Sequence, residues 1–299
     1  MNSHTKYFKI GGFTIEVNSE LPFKSDTFHP KIKQFEIDNP EKINIVINHH
    51  FKDKISAHGL IKDRIYYKKP LAIFKNKDSL IYEWINDYSP YRACHRKIIT
   101  NIEHTKFDTY NDRQLTNSFL QGQLTEISLL PTDQIFLCRA LAYSRNQGCI
   151  MHSMGLIHNN NGYLFLGHSE AGKSTMARIM KDYSTILCDD RNIIRKYNKN
   201  YILSGTWRHS DFTEISSSSA KLKAIFFLNQ SATNQIERIT DNKICFKKLL
   251  SCLTKSVTTD AWWDLSIDFL DTLSRSVECW DLKFDKSGKI REHITNLYN

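Results

Sequence analysis

Residues 167–175 combine the residue types and the spacing of a phosphate-binding loop. They match G-x-x-x-x-G-K-[ST], with an apolar run at 163–166 before them and a helix-compatible stretch at 174–180 after them. In this strand–loop–helix context, glycines let backbone N–H groups face an anion, and the helix N-terminus adds positive potential. The motif therefore predicts that the chain binds a nucleoside triphosphate. The alternative is a glycine-rich turn without a ligand.

Two side chains of the motif have separate chemical tasks in such a site. Lys173 can reach the β- and γ-phosphates, and the Ser174 hydroxyl can ligate Mg²⁺. The expected cofactors are therefore ATP and Mg²⁺. The expected nucleotide contacts are Gly167, His168, Ser169, Glu170, Ala171, Gly172, Lys173, Ser174 and Thr175.

A pair of acids, Asp189 and Asp190, ends the apolar run 185–188 shortly after the motif. One short helix and one turn fit between them, so we expect this strand and the loop to be immediate neighbours. A Mg·ATP site needs an acid for the metal or its waters, and phosphoryl transfer needs a base that orients the hydroxyl. Two adjacent acids can divide those roles. The alternative is an ordinary turn at a strand end.

His152 lies in the strand predicted over 149–157, directly before the one that leads into the motif. Because consecutive strands often pair, this strand can lie beside the loop strand. His152 is therefore a candidate for a catalytic or metal-assisting role. The alternative is a histidine with a purely structural hydrogen bond.

The composition is that of a folded protein with an excess of positive charge. Of 299 residues, 40% are hydrophobic and 24% are charged, and the formal net charge is +9. This balance favours anionic partners such as a nucleotide or an acidic peptide, but no compact basic block points to nucleic acid.

Seven cysteines without a C-x-x-C pair indicate reduced thiols, and the cysteine–histidine spacings do not indicate zinc. No signal peptide or membrane-length apolar run is evident, so we expect a cytoplasmic protein without a membrane partner.

Hydrophobic patterning divides the chain near residue 128. Residues 1–128 are expected to form a β-rich domain for substrate recognition or regulation, and residues 129–299 a nucleotide-binding catalytic domain. The first region opens with a hairpin signal at Gly11-Gly12 and turns helical from about residue 111. A second helix is expected to open at 131–133 and to stop near Gly148. In the second region, helices are predicted over 244–257 and 260–277, with a last strand over 278–284.

Three segments together resemble a known family. Met151-His152, residues 162–175 and residues 187–191 (Leu-Cys-Asp-Asp-Arg) resemble the catalytic domain of HPr kinase/phosphorylase. They are most similar to the wider group of HPr-kinase-related proteins, some of which phosphorylate serine on lasso peptides. The resemblance covers about residues 130–299. It implies an α/β fold (α+β overall) with a mixed sheet, similar to phosphoenolpyruvate carboxykinase, behind a β-rich N-terminal domain.

The resemblance also implies roles for single residues. Lys173 would grip phosphate and Ser174 would bind Mg²⁺. Asp189 would be the general base towards a serine hydroxyl, with Asp190 assisting the metal and His152 supporting the carboxylate.

The chain also departs from that family. Residues 204–208 read Ser-Gly-Thr-Trp-Arg where HPr kinase/phosphorylase has a Glu-Ile/Val-Arg-Gly signature, so neither HPr as the substrate nor dephosphorylation is implied. We therefore expect an ATP- and Mg²⁺-dependent kinase that acts on a serine of a protein or peptide. The alternatives are a kinase of a small hydroxyl metabolite such as free serine, and a nucleotide-binding regulatory module without turnover. The sequence is compatible with a protein that forms a homo-oligomer.

Overall fold

Two mixed sheets account for the fold in the computed structural model, which describes residues 4–25, 27–57, 63–86, 93–121, 134–144, 147–255 and 260–298. With helices packed beside the strands, the chain is an α/β protein. One compact unit takes residues 1–9 and 13–140, and the other takes residues 10–12 and 141–299. The boundary expected near residue 128, the end of the helix expected through Ile127 and the opening of the next at 131–133 lie outside the described residues.

The first sheet contains nine strands. They are β1 (His4–Ile10), β2 (Phe13–Ser19), β3 (Glu36–Ile37), β4 (Ile45–Phe51), β5 (Arg64–Lys68), β6 (Leu71–Asn76), β7 (Ser79–Asn86), β8 (Ala93–Asn101) and β9 (Lys106–Asn111). Their spatial order is β3-β1-β2-β4-β9-β8-β7-β6-β5. The predicted hairpin at Gly11-Gly12 is confirmed, because β1 and β2 are neighbours and both glycines have positive φ, at 54° and 74°.

Among the described residues up to 144, the helices are α1 (Pro30–Lys33), α2 (Arg113–Leu120) and α3 (Gln134–Tyr143). The side chain of Asp112 caps α2 by accepting a hydrogen bond of 2.9 Å from the Leu115 backbone N–H. The helix predicted from about residue 111 therefore begins at a capped end. A fully buried histidine, His104, lies in the turn between β8 and β9, and its Nε2 is 2.8 Å from the hydroxyl of Tyr82 on β7.

The second sheet contains eight strands. They are β10 (Gly148–His158), β11 (Asn161–Leu166), β12 (Thr185–Cys188), β13 (Arg191–Tyr197), β14 (Asn200–Ser204), β15 (Ser219–Gln230), β16 (Gln235–Arg238) and β17 (Glu278–Phe284). Their order is β11-β10-β13-β14-β15-β17-β16; β12 pairs with β10, and β11 also pairs with β15. The helices are α4 (Lys173–Met180), α5 (Asn242–Cys252), α6 (Asp260–Ser276) and α7 (Ile290–Tyr298).

The strand that ends at the two aspartates contacts the motif at its end, as expected, through the hydrogen bond of Ser174 with Asp189, but it does not pair with the loop strand. β10 pairs with β11 through residues 153–158 and with β12 through residues 155–157. Because β10 is antiparallel to both, β11 and β12 run in the same direction with β10 between them. The short connection through α4 is long enough to cross one strand of about 5 Å width on its way to β12.

Helices cover both faces of the second sheet. Met176 and Met180 of α4 and Ile290 and Ile294 of α7 share one apolar cluster with β10, β11, β15 and β17. Successive side chains of a strand point to opposite faces, so Phe227 on β15 faces away from this cluster. There the ammonium group of Lys248 on α5 lies 5.3 Å from the centre of the Phe227 ring. α4, which follows the loop, therefore rests on a filled core.

Several features of this region differ from the sequence-based expectations. β16 and α7 were not predicted, and α5 ends at Cys252 rather than at 257, where residues 256–259 lie outside the described residues. A disulfide joins Cys245 on α5 to Cys279 on β17, with 6.5 Å between their Cα atoms. The expectation of reduced thiols is therefore wrong for this pair, which helix and strand packing brings together.

Among the described helices, none has the length and apolarity needed to cross a bilayer.

Candidate active site

The loop between β11 and α4 requires its glycines for steric reasons. Gly172 has φ +99°, and a Cβ atom there would lie 2.5 Å from Phe284 Cζ. A Cβ atom on Gly167 would lie 2.4 Å from the Cβ of Ala171. Glu170 is also left-handed, with φ +67°. Left-handed residues at a helix N-terminus are the backbone pattern of nests that present N–H groups to an anion.

The buried side chain of Lys173 folds back over this loop. Its Nζ donates hydrogen bonds of 2.9 Å to the carbonyl oxygens of Gly167 and His168. Burial lowers the pKa of Lys173, and the charges of Asp190 and Asp189 oppose that shift. The ammonium group therefore lies against the loop. A phosphate oxygen can compete with the two carbonyl oxygens for its N–H donors.

The carboxylate of Asp189 is fully buried and held by three hydrogen bonds. Its Oδ2 accepts from Ser174 Oγ at 2.7 Å and from the Phe212 backbone N–H at 2.9 Å. Its Oδ1 accepts from the Ser210 backbone N–H at 2.7 Å. The structure thus brings together the motif serine and the first aspartate, although their strands are separated by β10.

Asp190 has a different environment from its neighbour. Its side chain is 19% exposed, and its Oδ1 lies 3.0 Å from His152 Nδ1 and beside the Arg191 guanidinium. Burial raises the pKa of Asp190, but the hydrogen bond with His152 and the charges of Arg191, His152 and Lys173 outweigh it and lower the pKa. The result is an ionised carboxylate that remains accessible from solvent.

Strand pairing explains why His152 meets Asp190. Residues 189–190 form the turn between β12 and β13, and both of these strands pair with β10. His152 is the register partner of Arg191, and the Ser153 backbone N–H donates to the Asp190 carbonyl oxygen at 3.0 Å. The placement of the His152 strand beside the loop strand, expected from sequence, is confirmed.

Residues 205–212 form a wall of the site, and the sequence had drawn attention only to residues 204–208, as a departure from the family signature. The Thr206 hydroxyl donates to the Arg191 carbonyl oxygen at 2.7 Å. Gly205 approaches other backbone closely, because a Cβ there would lie 2.5 Å from the Ser216 carbonyl oxygen. The contacts to Asp189 come from the backbone amides of Ser210 and Phe212, which have no residue-type signature. In the sequence, Gly205 was the residue whose type could have indicated this wall.

A cleft of about 530 Å³ opens beside the loop. One wall is the loop itself, where the Glu170 carbonyl oxygen accepts a hydrogen bond of 2.6 Å from Gln230 Nε2. The opposite wall consists of the end of β15 and one side of α5, with Asn229, Gln230, Lys248, Ser251 and Cys252. The cleft gives a ligand larger than phosphate access to residues 167–171.

The residues present fit a magnesium ion better than a transition metal. The Ser174 hydroxyl and the Asp189 carboxylate supply oxygen ligands, which Mg²⁺ prefers, and such sites take their remaining ligands from water and phosphate. Within the described ranges, no three His, Cys, Asp or Glu side chains gather into a metal-binding group. The residues singled out from the sequence lie where β11 ends, beside the middle of β10 and the turn between β12 and β13.

The comparisons with known proteins add little to this geometry. No family model matches the chain, and no curated protein matches its sequence. Among solved structures, the chain is similar to the Hpr(Ser) kinase/phosphatase from Coxiella burnetii, with a TM-score of 0.28 and 8% sequence identity. The similarity covers 50% of this chain and 99% of that one. A likeness at this level carries no argument about function.

Proposed function

We propose that this chain is an ATP- and Mg²⁺-dependent kinase that transfers the γ-phosphoryl group to a serine hydroxyl of a protein or peptide. The observation that carries the proposal is the contact of Ser174 with Asp189 beside the half-buried pair of Asp190 and His152. A site that only binds nucleotide needs the first pair but has no use for the second. The choice of serine rests on the motif resemblance described above.

The contacts support a division of roles opposite to the one expected from sequence. Asp189 is buried, hydrogen-bonded to the motif serine and held in place by two amides, which suits a carboxylate that binds metal. Asp190 is accessible and paired with a histidine, which suits a carboxylate that meets the acceptor. We therefore assign Ser174 and Asp189 to the metal, and Asp190 to the hydroxyl with His152 as its positioning residue.

In the proposed reaction, Asp190 accepts the hydroxyl proton as the acceptor oxygen attacks the γ-phosphorus. The bond from that phosphorus to the bridging oxygen breaks, and ADP leaves with the electron pair. Mg²⁺, when bound, neutralises charge on the β- and γ-phosphates. Lys173 and the loop amides stabilise the negative charge on the transferring group. The hydrogen bond with His152 and the charge of Arg191 lower the pKa of Asp190, so it is ionised near neutral pH.

The test combines binding and transfer in the full-length chain. We expect wild type to bind ATP with Mg²⁺ and to transfer labelled phosphate to members of a serine-peptide library, while Lys173→Ala loses both. Asp182→Asn, which changes an exposed acid just after α4, should retain both. Transfer to free serine or other hydroxy acids instead of peptides would favour the metabolite kinase. ATP binding that Lys173→Ala leaves unchanged would refute the proposal.

A further inference from the structure

A second cavity, of about 510 Å³, lies along the outer side of α4, where it meets the turn 285–289 and the start of α7. Four cationic side chains line it: Arg178, Lys286, Lys289 and Arg291. A single carboxylate, that of Glu292, lines it with them. The cavity therefore has a strong positive excess that the composition of the chain as a whole does not explain.

Nearby carboxylates offset these cations only in part, since the charge of Lys289 acts on Asp285 and Glu292 shares the lining. Within the part of the chain that the structure describes, no ion pair joins any of the four to a carboxylate. The Arg291 guanidinium instead stacks over the Tyr183 ring, 4.0 Å from its centre. Like charges gathered around one opening repel each other, and a bound anion removes that cost. The arrangement is typical of a site for negatively charged groups.

The turn that carries the two lysines is held by its own hydrogen bonds. Asp285 Oδ1 accepts from the Ser287 backbone N–H at 2.9 Å, and Asn234 Oδ1 accepts from the Asp285 backbone N–H at 3.2 Å. The Asp285 carboxylate is thus used within the turn. Phe284, directly before it, is the residue that a Cβ on Gly172 would meet, so the turn is anchored against the phosphate-binding motif. The lysines therefore extend from an ordered segment.

The cavity also shares a wall with the motif. Thr175, the last residue of the motif, lines it together with Arg178, one turn further along α4. Arginine recognises phosphate through two parallel hydrogen bonds, and lysine adds a mobile point charge. The volume is large enough for a small phosphate ester rather than for a single ion.

We propose that this cavity is a second anion site, which binds the phosphate groups of a small molecule independently of Lys173. The inference goes beyond the kinase proposal, because it requires no phosphoryl transfer. Two ligands can supply such phosphate groups. One is the donor nucleotide, when its phosphates extend beyond the motif, and the other is a separate phosphorylated small molecule.

Inorganic tripolyphosphate, titrated by calorimetry into the full-length chain at fixed ionic strength, is the probe. Lys173→Ala disables the loop, so the tripolyphosphate that still binds reports the second site. Adding Lys286→Ala and Lys289→Ala should weaken that binding by about tenfold per lysine, since a hydrogen bond to a charged group contributes at least that factor. Lys243→Ala with Lys247→Ala, two exposed lysines of α5, makes the same change in charge elsewhere and should leave binding unchanged.

The outcomes separate this inference from the kinase proposal. Loss of ATP binding in Lys173→Ala tests the loop alone. The second site is refuted if Lys173→Ala binds no tripolyphosphate, if removing Lys286 and Lys289 has no effect, or if the α5 control weakens binding equally. With wild type saturated in ATP, continued binding of tripolyphosphate assigns the site to a separate molecule. Loss of that binding assigns it to the donor's own phosphates.

Discussion

The Ser174 hydroxyl donates a hydrogen bond of 2.7 Å to the buried Asp189 carboxylate, across a sheet in which β10 separates the strands that precede them. The contact forms because α4 carries the chain over β10 and because the Ser210 and Phe212 amides fix the carboxylate from the other side. Two oxygen groups suited to Mg²⁺ are thereby placed at the loop before any ligand binds, which limits the ordering cost of binding.

Replacing each aspartate by asparagine should separate metal binding from proton transfer. We expect Asp189→Asn to raise the Mg²⁺ concentration needed for ATP binding, because the amide has lost the charge that holds the metal. We expect Asp190→Asn to retain ATP affinity while kcat falls by about 10² to 10⁴, the usual contribution of a general base. Calorimetry and steady-state kinetics measure the two effects.

Asp182→Asn is the matched control for this pair, because it removes one exposed carboxylate near α4 without touching the loop. The opposite pattern, with transfer lost in Asp189→Asn and the Mg²⁺ requirement altered in Asp190→Asn, would restore the roles expected from sequence.

Gly172→Ala should destabilise the fold as well as the site. The alanine would need φ near +99°, and its Cβ would lie 2.5 Å from Phe284 Cζ. Backbone strain and overpacking therefore both lower the free energy of unfolding. We expect a loss of about 2 to 5 kcal/mol in the free energy of unfolding, measured with urea.

Gly288→Ala provides the comparison, because Gly288 is also left-handed at φ +82° but has open space, with the nearest atom to a Cβ 4.0 Å away. This variant should lose only about 1 to 2 kcal/mol, the cost of the left-handed backbone. Equal losses in both variants would show that the contact with Phe284 does not matter.

The sequence predicted those parts of the site that depend on residue type and local spacing. The motif, the Gly11-Gly12 hairpin and the pairing of the His152 strand with the loop strand follow from turn chemistry and from the adjacency of consecutive strands. The intervening position of β10 could not be predicted, because the length of the connection through α4 permits a neighbouring strand or the next one.

Other parts of the site are set by contacts that leave no trace in residue type. The amides of Ser210 and Phe212 act through the backbone, so any residue except proline could supply them. The disulfide of Cys245 and Cys279 depends on how α5 packs against β17. α7 is short, and its two buried isoleucines, Ile290 and Ile294, give only one helical repeat in the sequence.

Acid should destabilise the chain through His104. Burial, reinforced by the charge of Arg139, lowers the pKa of His104 from 6.5 to about 3. Between these values the unfolded chain binds a proton that the folded chain does not, so stability falls as pH falls below 6.5. The slope from this one group is at most about 1.4 kcal/mol per pH unit.

His104→Asn tests this origin, because asparagine tolerates the left-handed backbone at φ +56° and does not titrate. Urea unfolding at about pH 7.5 and about pH 5 should show a smaller loss of stability for the variant than for wild type. An equal loss in both proteins would exclude His104 as the source.

A crystal structure with Mg²⁺ and a nonhydrolysable ATP analogue tests the central claim most directly. We predict the β- and γ-phosphates against the amides of residues 167–175, the metal between Ser174 Oγ and Asp189, and Asp190 facing the γ-phosphorus. Phosphates bound away from this loop, or a metal that contacts neither Ser174 nor Asp189, would contradict the account.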